Sequence, residues 1–233
     1  MIPGKLTGAM DAPIIHQYRD RLLKKKGSLL CKRAFDLIVS ALMLICLSPL
    51  LLVLAVVIKC DSRGPVFFRQ ERITTGGKPF RIFKFRTMVQ DADKLGSAVT
   101  APGDSRVTRV GDKLRTYRLD ELPQLINVFL GQMTFVGTRP EVPQYVDAYT
   151  DEMRATLLLP AGITSNASIK FKDEQTILNQ AMEEGCSDID QAYVTRVLPA
   201  KMRYNLEYLQ NFGLGEDFKL MWKTVMGVFF HQD

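Results

Sequence analysis

The chain has little of what usually carries acid–base or redox chemistry in water. Only two histidines occur in 233 residues, His16 and His231, both near the ends. Histidine-based catalysis is thereby set aside, and carboxylates must carry any acid, base or nucleophile role. The four cysteines, Cys31, Cys46, Cys60 and Cys186, form no CxxC pair. That spacing implies neither a disulfide framework nor a zinc site, and it suits a reducing compartment. No internal repeat or low-complexity tract is present. Mean hydropathy is near neutral, at −0.01, which argues against a multi-span protein. Acidic residues are the minority: 31 Lys and Arg face 25 Asp and Glu, a formal charge of +6. An anionic partner follows, phospholipid headgroups or nucleotide phosphates. Nucleic acid is not expected, because no nucleic-acid motif accompanies the charge.

What is present is one long apolar run. About 22 residues, Leu37 to Ile58, are almost wholly apolar, the length that crosses a bilayer as a helix. Ser48-Pro49 interrupts its centre, and basic residues flank both ends: Lys24, Lys25, Lys26, Lys32 and Arg33 before it, Lys59, Arg63, Arg69 and Arg72 after it. A simple span has one basic end and one poor end. Two basic ends predict that both stay in the cytosol, with a helix that enters, bends at proline and leaves on the same side. An ordinary span with a tolerated proline is the alternative. The run starts too late and is too long for a signal peptide.

Elsewhere, residues 1–28 read as a basic arm, mobile or partly helical. Residues 65–88 read as a β-hairpin turning at Gly76-Gly77. Period two puts Ile82, Lys84, Arg86 and Met88 on one face of its second strand, so that Lys84 and Arg86 would point together at an anion. Residues 91–106 are polar and loop-rich. A helical pattern over 109–130 breaks near Leu119-Asp120, and 134–140 is a loop or short strand. Helices are expected at 142–158, 173–184 and 190–210. The stretch 216–230 is amphipathic, and either lies in the membrane interface or packs on the core.

The sharpest short motif is RLDELPQL, residues 118–125. Adjacent helical residues project about 100° apart, so Asp120 and Glu121 cannot serve one atom in the same way. One would attack while the other holds a metal. Pro123 suits the first turn of a helix, which puts both acids at an N-terminus. There an N-cap role for Asp120 competes with a chemical one. Arg115 and Arg118 precede the pair, and Arg139 follows Gly137 in TFVGTRPE. With Lys84 and Arg86 these suggest a diphosphate substrate and a divalent metal held through a carboxylate and substrate phosphates.

Order adds to this. A Lys-Arg-x-x-Asp start, an apolar helix with central Ser-Pro, GPVFF-x-Q, FKFRTM, DSRVTRVG, LDELPQL-x-NV and FVG-x-RP follow one another from Lys32 onward. In this the chain closely resembles the bacterial sugar transferases, the monotopic polyprenyl-phosphate phosphoglycosyl transferases of small, single-function type. The resemblance implies an α+β, mostly helical fold: a re-entrant membrane helix kinked at Ser-Pro, a small β-hairpin or sheet, and interfacial amphipathic helices around a cytosolic catalytic core. The parts would be a basic arm at 1–30, the re-entrant helix at 31–60 and the catalytic domain at 61–233.

The resemblance also implies transfer of a phospho-sugar from a UDP-sugar to a polyprenyl phosphate such as undecaprenyl phosphate, releasing UMP. This would be the first membrane step of bacterial glycoconjugate or polysaccharide biosynthesis. Asp120 would be the nucleophile and Glu121 the ligand of Mg²⁺. Arg115 and Arg139 would bind phosphate or nucleotide, Ser48 and Pro49 form the kink, and Lys32, Arg33 and Asp36 anchor it at the headgroups. The site would face the cytoplasm at the inner membrane, and a homodimer is left open. Two departures stand out: Thr138 replaces a family proline beside Arg139, and PAGITSNASIKF (160–171) diverges after Gly162-Ile163-Thr164. Two other classes use the same residues, a membrane-anchored metal-dependent phosphatase or pyrophosphatase and a non-catalytic scaffold subunit.

Overall fold

The computed structural model describes residues 2, 4–92, 104–186 and 188–229. Most of the polar stretch expected at 91–106, His231 and the last residue of the expected 216–230 helix lie outside the described residues.

The order is α1 (Pro13–Leu23), α2 (Lys26–Asp61), the hairpin β1 (Phe67–Thr74) and β2 (Lys78–Phe85), then α3 (Arg109–Thr116), α4 (Gln124–Phe129) and β3 (Met133–Val136). Short helices α5 (Pro143–Asp147) and α6 (Asp151–Arg154) lead to β4 (Ala161–Thr164), which pairs parallel to β3. Helices α7 (Asn166–Lys170), α8 (Glu174–Glu183), α9 (Ile189–Ala192), α10 (Leu198–Gln210) and α11 (Leu214–Phe229) complete the chain. The described residues are mostly helical, with two small two-stranded sheets.

The N-terminal arm is not a solvated tail. Leu6, Met10, Ile15, Tyr18 and Leu22 are buried in the principal core with residues of α5, α8 and α10. Tyr18 donates to Glu152 at 2.7 Å. The apolar residues of α1 recur at positions 15, 18 and 22, which is one helical face. The three lysines that follow lie beyond it.

Helix α2 is continuous for 36 residues, with Pro49 inside. Proline has no N–H to give the carbonyl four residues back, here that of Ile45. Ser48 Oγ donates to that same carbonyl at 2.8 Å, so the serine supplies the bond the proline withholds. Both halves of α2 rest on the body. The first half is tied by charge. Lys32, 3% exposed, donates to Asp217 Oδ2 at 2.7 Å and to the Val136 carbonyl at 2.8 Å. Asp36 accepts from Thr134 Oγ1 at 2.7 Å and the Phe135 amide at 3.2 Å. Arg33 donates to the carbonyls of Val128 and Phe129, the end of α4. These three residues therefore anchor the helix to protein, a correction to the headgroup expectation. Buried charges need partners, and β3, α4 and α11 supply them. The second half is held by hydrocarbon: Leu51, Leu54, Ala55 and Ile58 pack with Phe67, Phe85, Val110 and Leu114. Between the two, Leu42 and Ile45 (71% exposed) touch little.

Helix α11 packs on the core along one face, as one of the two sequence expectations had it. Leu220 and Asp217 are buried, while Phe218, Trp222 (66% exposed) and Val225 form an open face beside α2, where Phe218 meets Phe35 edge to face at 5.5 Å.

Candidate active site

The hairpin pairs Phe67 with Phe85 through Thr74 with Lys78, turning at Thr75-Gly76-Gly77. Its second strand is docked on α4 by the buried Asn127, which accepts from the Phe83 amide at 2.8 Å and donates to the Arg81 carbonyl at 3.0 Å. One amide side chain thus fixes the register on either side of Ile82 and sets where Lys84 falls. Asn127 sits in an otherwise apolar stretch (LINVF), and that lone polar residue was the signal for it in the sequence.

Asp120 and Glu121 lie in a 3-10 turn, Leu119–Glu121, just ahead of α4. Neither caps it: Pro123 occupies the N-cap of α4, with no side-chain cap bond there or at the 3-10 turn. The N-cap reading of Asp120 therefore falls. Arg118, which leads into the turn, has φ +53°. A non-glycine residue in the left-handed region is strained, and such strain gathers where a side chain must be aimed.

The two carboxylates have opposite surroundings. Glu121 Oε1 accepts from Lys84 Nζ at 2.9 Å and from Arg139 Nη2 at 2.7 Å. Burial works to raise the Glu121 pKa, but the two cations prevail and hold it well below the usual carboxylate range. Asp120 forms no ion pair and no hydrogen bond to another residue among the described residues; only its own backbone amide bonds its carboxylate. Burial pushes its pKa up, opposed by Lys84 and assisted by the negative Glu121. Lys84 is itself pushed down by burial, against the pull of Glu121. The turn therefore offers one carboxylate neutralised by cations and, beside it, one with no ion-pair partner among the described residues.

Arg115 donates its Nε to Thr87 Oγ1 at 2.9 Å. Its two terminal nitrogens make no hydrogen bond among the described residues, and its charge lowers the Asp120 pKa. Arg139 is placed by a close crossing of β3 and β4. A Cβ on Gly162 would come 2.2 Å from the Gly137 amide nitrogen, so both positions need glycine. The Gly137 amide bonds the Thr164 carbonyl and the Gly162 amide bonds the Thr138 carbonyl. Thr138 contributes its backbone there; no side-chain bond of it is present among the described residues.

Arg86 does not join this group. It is buried, and its guanidinium donates to the carbonyls of Ser62 at 2.6 Å and Arg63 at 2.8 Å, closing the C-terminal end of α2. A Cβ on Gly64 would lie 2.0 Å from Arg86 Nη1, so glycine makes room for it. The alternation of β2 gave Arg86 its face but not what lay across from it. The expectation that it points with Lys84 at an anion is corrected accordingly.

For a metal, among the described residues no group of three or more His, Cys, Asp or Glu is placed to hold an ion by itself. Glu121 Oε1 takes both cations, leaving Oε2 without a partner among the described residues. One free carboxylate oxygen fits a magnesium ion completed by substrate phosphates. Sequence reasoning missed a further cluster beyond Arg139, in which Glu141 accepts from Tyr193 Oη at 2.7 Å and Lys201 donates to Tyr193 Oη at 2.7 Å. Its members come from separate segments, so no local pattern marks them.

The family model described as bacterial sugar transferase matches residues 27–231. The chain is 34% identical over 228 residues to the UDP-N-acetylgalactosamine-undecaprenyl-phosphate N-acetylgalactosaminephosphotransferase of Aeromonas hydrophila, covering 96% of this chain and 50% of that protein. It is 35% identical over 229 residues to the UDP-glucose:undecaprenyl-phosphate glucose-1-phosphate transferase of Escherichia coli strain K12, covering 97% and 45%. A protein of the same name from Caulobacter vibrioides is 35% identical over 197 residues, covering 83% and 68%. The chain thus spans half or less of the length of the first two.

Proposed function

The chain belongs to the bacterial sugar transferase family, and from that premise we propose that it is a sugar-1-phosphate transferase. Its donor is a nucleotide diphosphate sugar, a UDP-sugar, and its acceptor a polyprenyl phosphate, undecaprenyl phosphate. The observation that carries this reading is the contrast within the dyad. Glu121 is locked to Lys84 and Arg139, whereas Asp120 is paired with no cation among the described residues. A nucleophile must keep its lone pairs free, and a diphosphate needs cations close by.

In the first step an Asp120 carboxylate oxygen attacks the phosphorus nearer the sugar. The bond from that phosphorus to the bridging oxygen breaks, its electron pair stays on that oxygen, and UMP leaves. An oxygen of the lipid phosphate then attacks the same phosphorus and releases Asp120. Lys84, Arg115 and Arg139 offset the charge of two anionic substrates that would otherwise repel. Glu121 would hold Mg²⁺, which neutralises diphosphate charge when bound.

The second half of the proposal is a re-entrant α2 at the cytoplasmic face of the inner membrane. Asp36 and Ile58 are 22 residues apart. As a straight helix that is about 33 Å, close to the ~30 Å hydrocarbon core. In a full span these two residues would face opposite sides of the bilayer. Both are instead buried against one body. A bend at Ser48-Pro49 lets the apex enter lipid while both legs stay on that body.

The test is a donor-only trap. Purified protein with UDP-sugar and Mg²⁺ is quenched and digested, and the peptide bearing Asp120 is weighed. A mass gain equal to the phospho-sugar, discharged on adding lipid phosphate, is expected. UMP release with Asp120 unmodified sinks the assigned nucleophile, and hydrolysis with no lipid-linked product favours a phosphatase.

A further inference from the structure

Strand β3 has a strand neighbour on one edge only. Its sheet is two-stranded, and β4 takes that edge. The strand is nevertheless deep in the body: Met133, Thr134 and Val136 are all buried. Buried backbone groups need partners, and no further strand lies there among the described residues to supply them. Helix α2 does so through two side chains one turn apart. Asp36 Oδ1 accepts from the Phe135 amide at 3.2 Å, and Lys32 Nζ donates to the Val136 carbonyl at 2.8 Å. An acceptor and a donor on one helix face thus stand in for a missing strand.

The second contact grips a particular peptide unit. The Val136 carbonyl and the Gly137 amide belong to one plane and point in opposite directions. Lys32 holds the carbonyl end, and the Thr164 carbonyl of β4 accepts from the amide end at 3.0 Å. Because the unit is planar, the two bonds together fix its tilt. Glycine at 137 has no Cβ to restrict its own torsions, so without the clamp the chain is free to turn there. Two residues on is Arg139, whose Nη2 donates to Glu121 at 2.7 Å.

Lys32 is itself aimed. Asp217 Oδ2 accepts from it at 2.7 Å, and Tyr208 Oη donates to Asp217 Oδ1 at 2.6 Å. Tyr208 also reaches the Val136 carbonyl, at 3.4 Å. Helices α10 and α11 therefore point one ammonium at one carbonyl. An anchor alone does not need that aim. Arg33, the next residue, ties α2 to the body as well, but through the carbonyls of Val128 and Phe129 at the end of α4.

Resting on the proposed role of Arg139 at the donor diphosphate, we propose that Lys32 is a positioning residue: it sets the tilt of the Val136–Gly137 peptide and, through it, the placement of Arg139. The apolar helix and the cationic side of the catalytic site are then one mechanical unit. With α2 out of its seat, Arg139 loses its bearing and the donor is oriented less well.

The test uses full-length protein in lipid nanodiscs and a matched pair, Lys32→Met and Arg33→Met, each lacking one cationic tether of α2. Melting profiles are recorded for both. Tyr208→Phe keeps the ring, drops the hydroxyl and serves as the milder probe should Lys32→Met fail to fold. The first readout needs no turnover. With ¹³C-carbonyl valine and ¹⁵N-glycine, the filtered amide signals are those of glycines that follow valine, Gly111 and Gly137. The Gly137 signal should shift in Lys32→Met and Tyr208→Phe and stay in place in Arg33→Met, with Gly111 constant throughout. The second readout is a double-mutant cycle. Lys32→Met should lower the donor kcat/KM by about tenfold to a hundredfold and leave the polyprenyl phosphate KM unchanged. Added to Arg139→Gln it should cost less than about twofold more, because its route is already cut. A loss that persists in full beside Arg139→Gln, or an unmoved Gly137 signal, overturns the proposal. A shifted Gly137 signal supports the clamp even if Arg139→Gln leaves donor kinetics unchanged, a result that counts against the functional reading alone.

Discussion

Two regions of this molecule break the usual partition between polar and apolar, in opposite senses. Around Asp120 the chain withdraws charge from water; around Pro49 it offers hydrocarbon to it. The first region is ordered by side-chain bonds to named partners, Lys84 and Arg139 to Glu121. The second is ordered only by its own helix, with Ser48 serving the carbonyl that Pro49 leaves. Under the proposed function each departure makes sense once a missing neighbour is supplied, a phosphate in one case and acyl chains in the other. Functional places are where local consistency gives way.

The comparison breaks most sharply at Asp120. Asp120→Asn keeps the shape and removes the proposed nucleophile, so turnover should fall by at least ~10³-fold. Stability should move the other way. Burial raises the Asp120 pKa in the folded state. Its stabilising contribution is therefore present below the unfolded value, near 3.8, and lost as pH rises through the raised folded value. At pH 7 the ionised group costs stability that asparagine does not, and the variant should melt at or above the wild-type temperature, with the gap closing below about pH 4. A variant that melts well below the parent at pH 7 would count against a carboxylate with no ion-pair partner.

Glu121→Gln should show the reverse stability. The depressed Glu121 pKa contributes stability above the unfolded value, lost as pH falls through the folded one. At neutral pH the change strands Lys84 and Arg139. The cost should be about 2–3 kcal/mol, less than for a fully buried pair because Arg139 is 37% exposed. Chemical denaturation reads this directly. Turnover in Glu121→Gln should also need more Mg²⁺, so a metal dependence identical to wild type would argue against Glu121 as ligand.

The smallest expected effect lies at the proposed bend. Ser48→Ala with Pro49→Ala restores an ordinary helix ladder and should leave the body folded, since residues 48–49 are exposed. Labelling of cysteines placed at either end of α2 should shift from one face of the membrane towards two. Unchanged labelling would mean that the contacts of the two legs, and not the proline, set the topology.

Much of this was legible in the sequence where a period or a turn residue is local. The hairpin followed from alternation and Gly76-Gly77, and the long helix from its composition. The dyad stood out because two acids precede a proline. What escaped notice depends on partners far along the chain. Lys32 and Asp36 look like headgroup ligands until β3 and Asp217 are brought to them. The face of α1 at Ile15, Tyr18 and Leu22 was hidden by the lysines beside it. Strand β4 is only four residues long, and the cluster beyond Arg139 is assembled from several separate segments.

The Ser48–Ile45 bond has one more consequence. A break in a helix ordinarily needs water or a neighbouring helix to soothe its exposed carbonyl. Here the gap is closed from within, so in the proposed re-entrant placement the tip of the bend can rest among lipid tails alone. From Leu37 to Pro49 is a rise of about 18 Å, little more than one leaflet. Seated that way, the protein is a wedge in a single monolayer, and its grip should respond to how tightly the tails of that monolayer are pressed together.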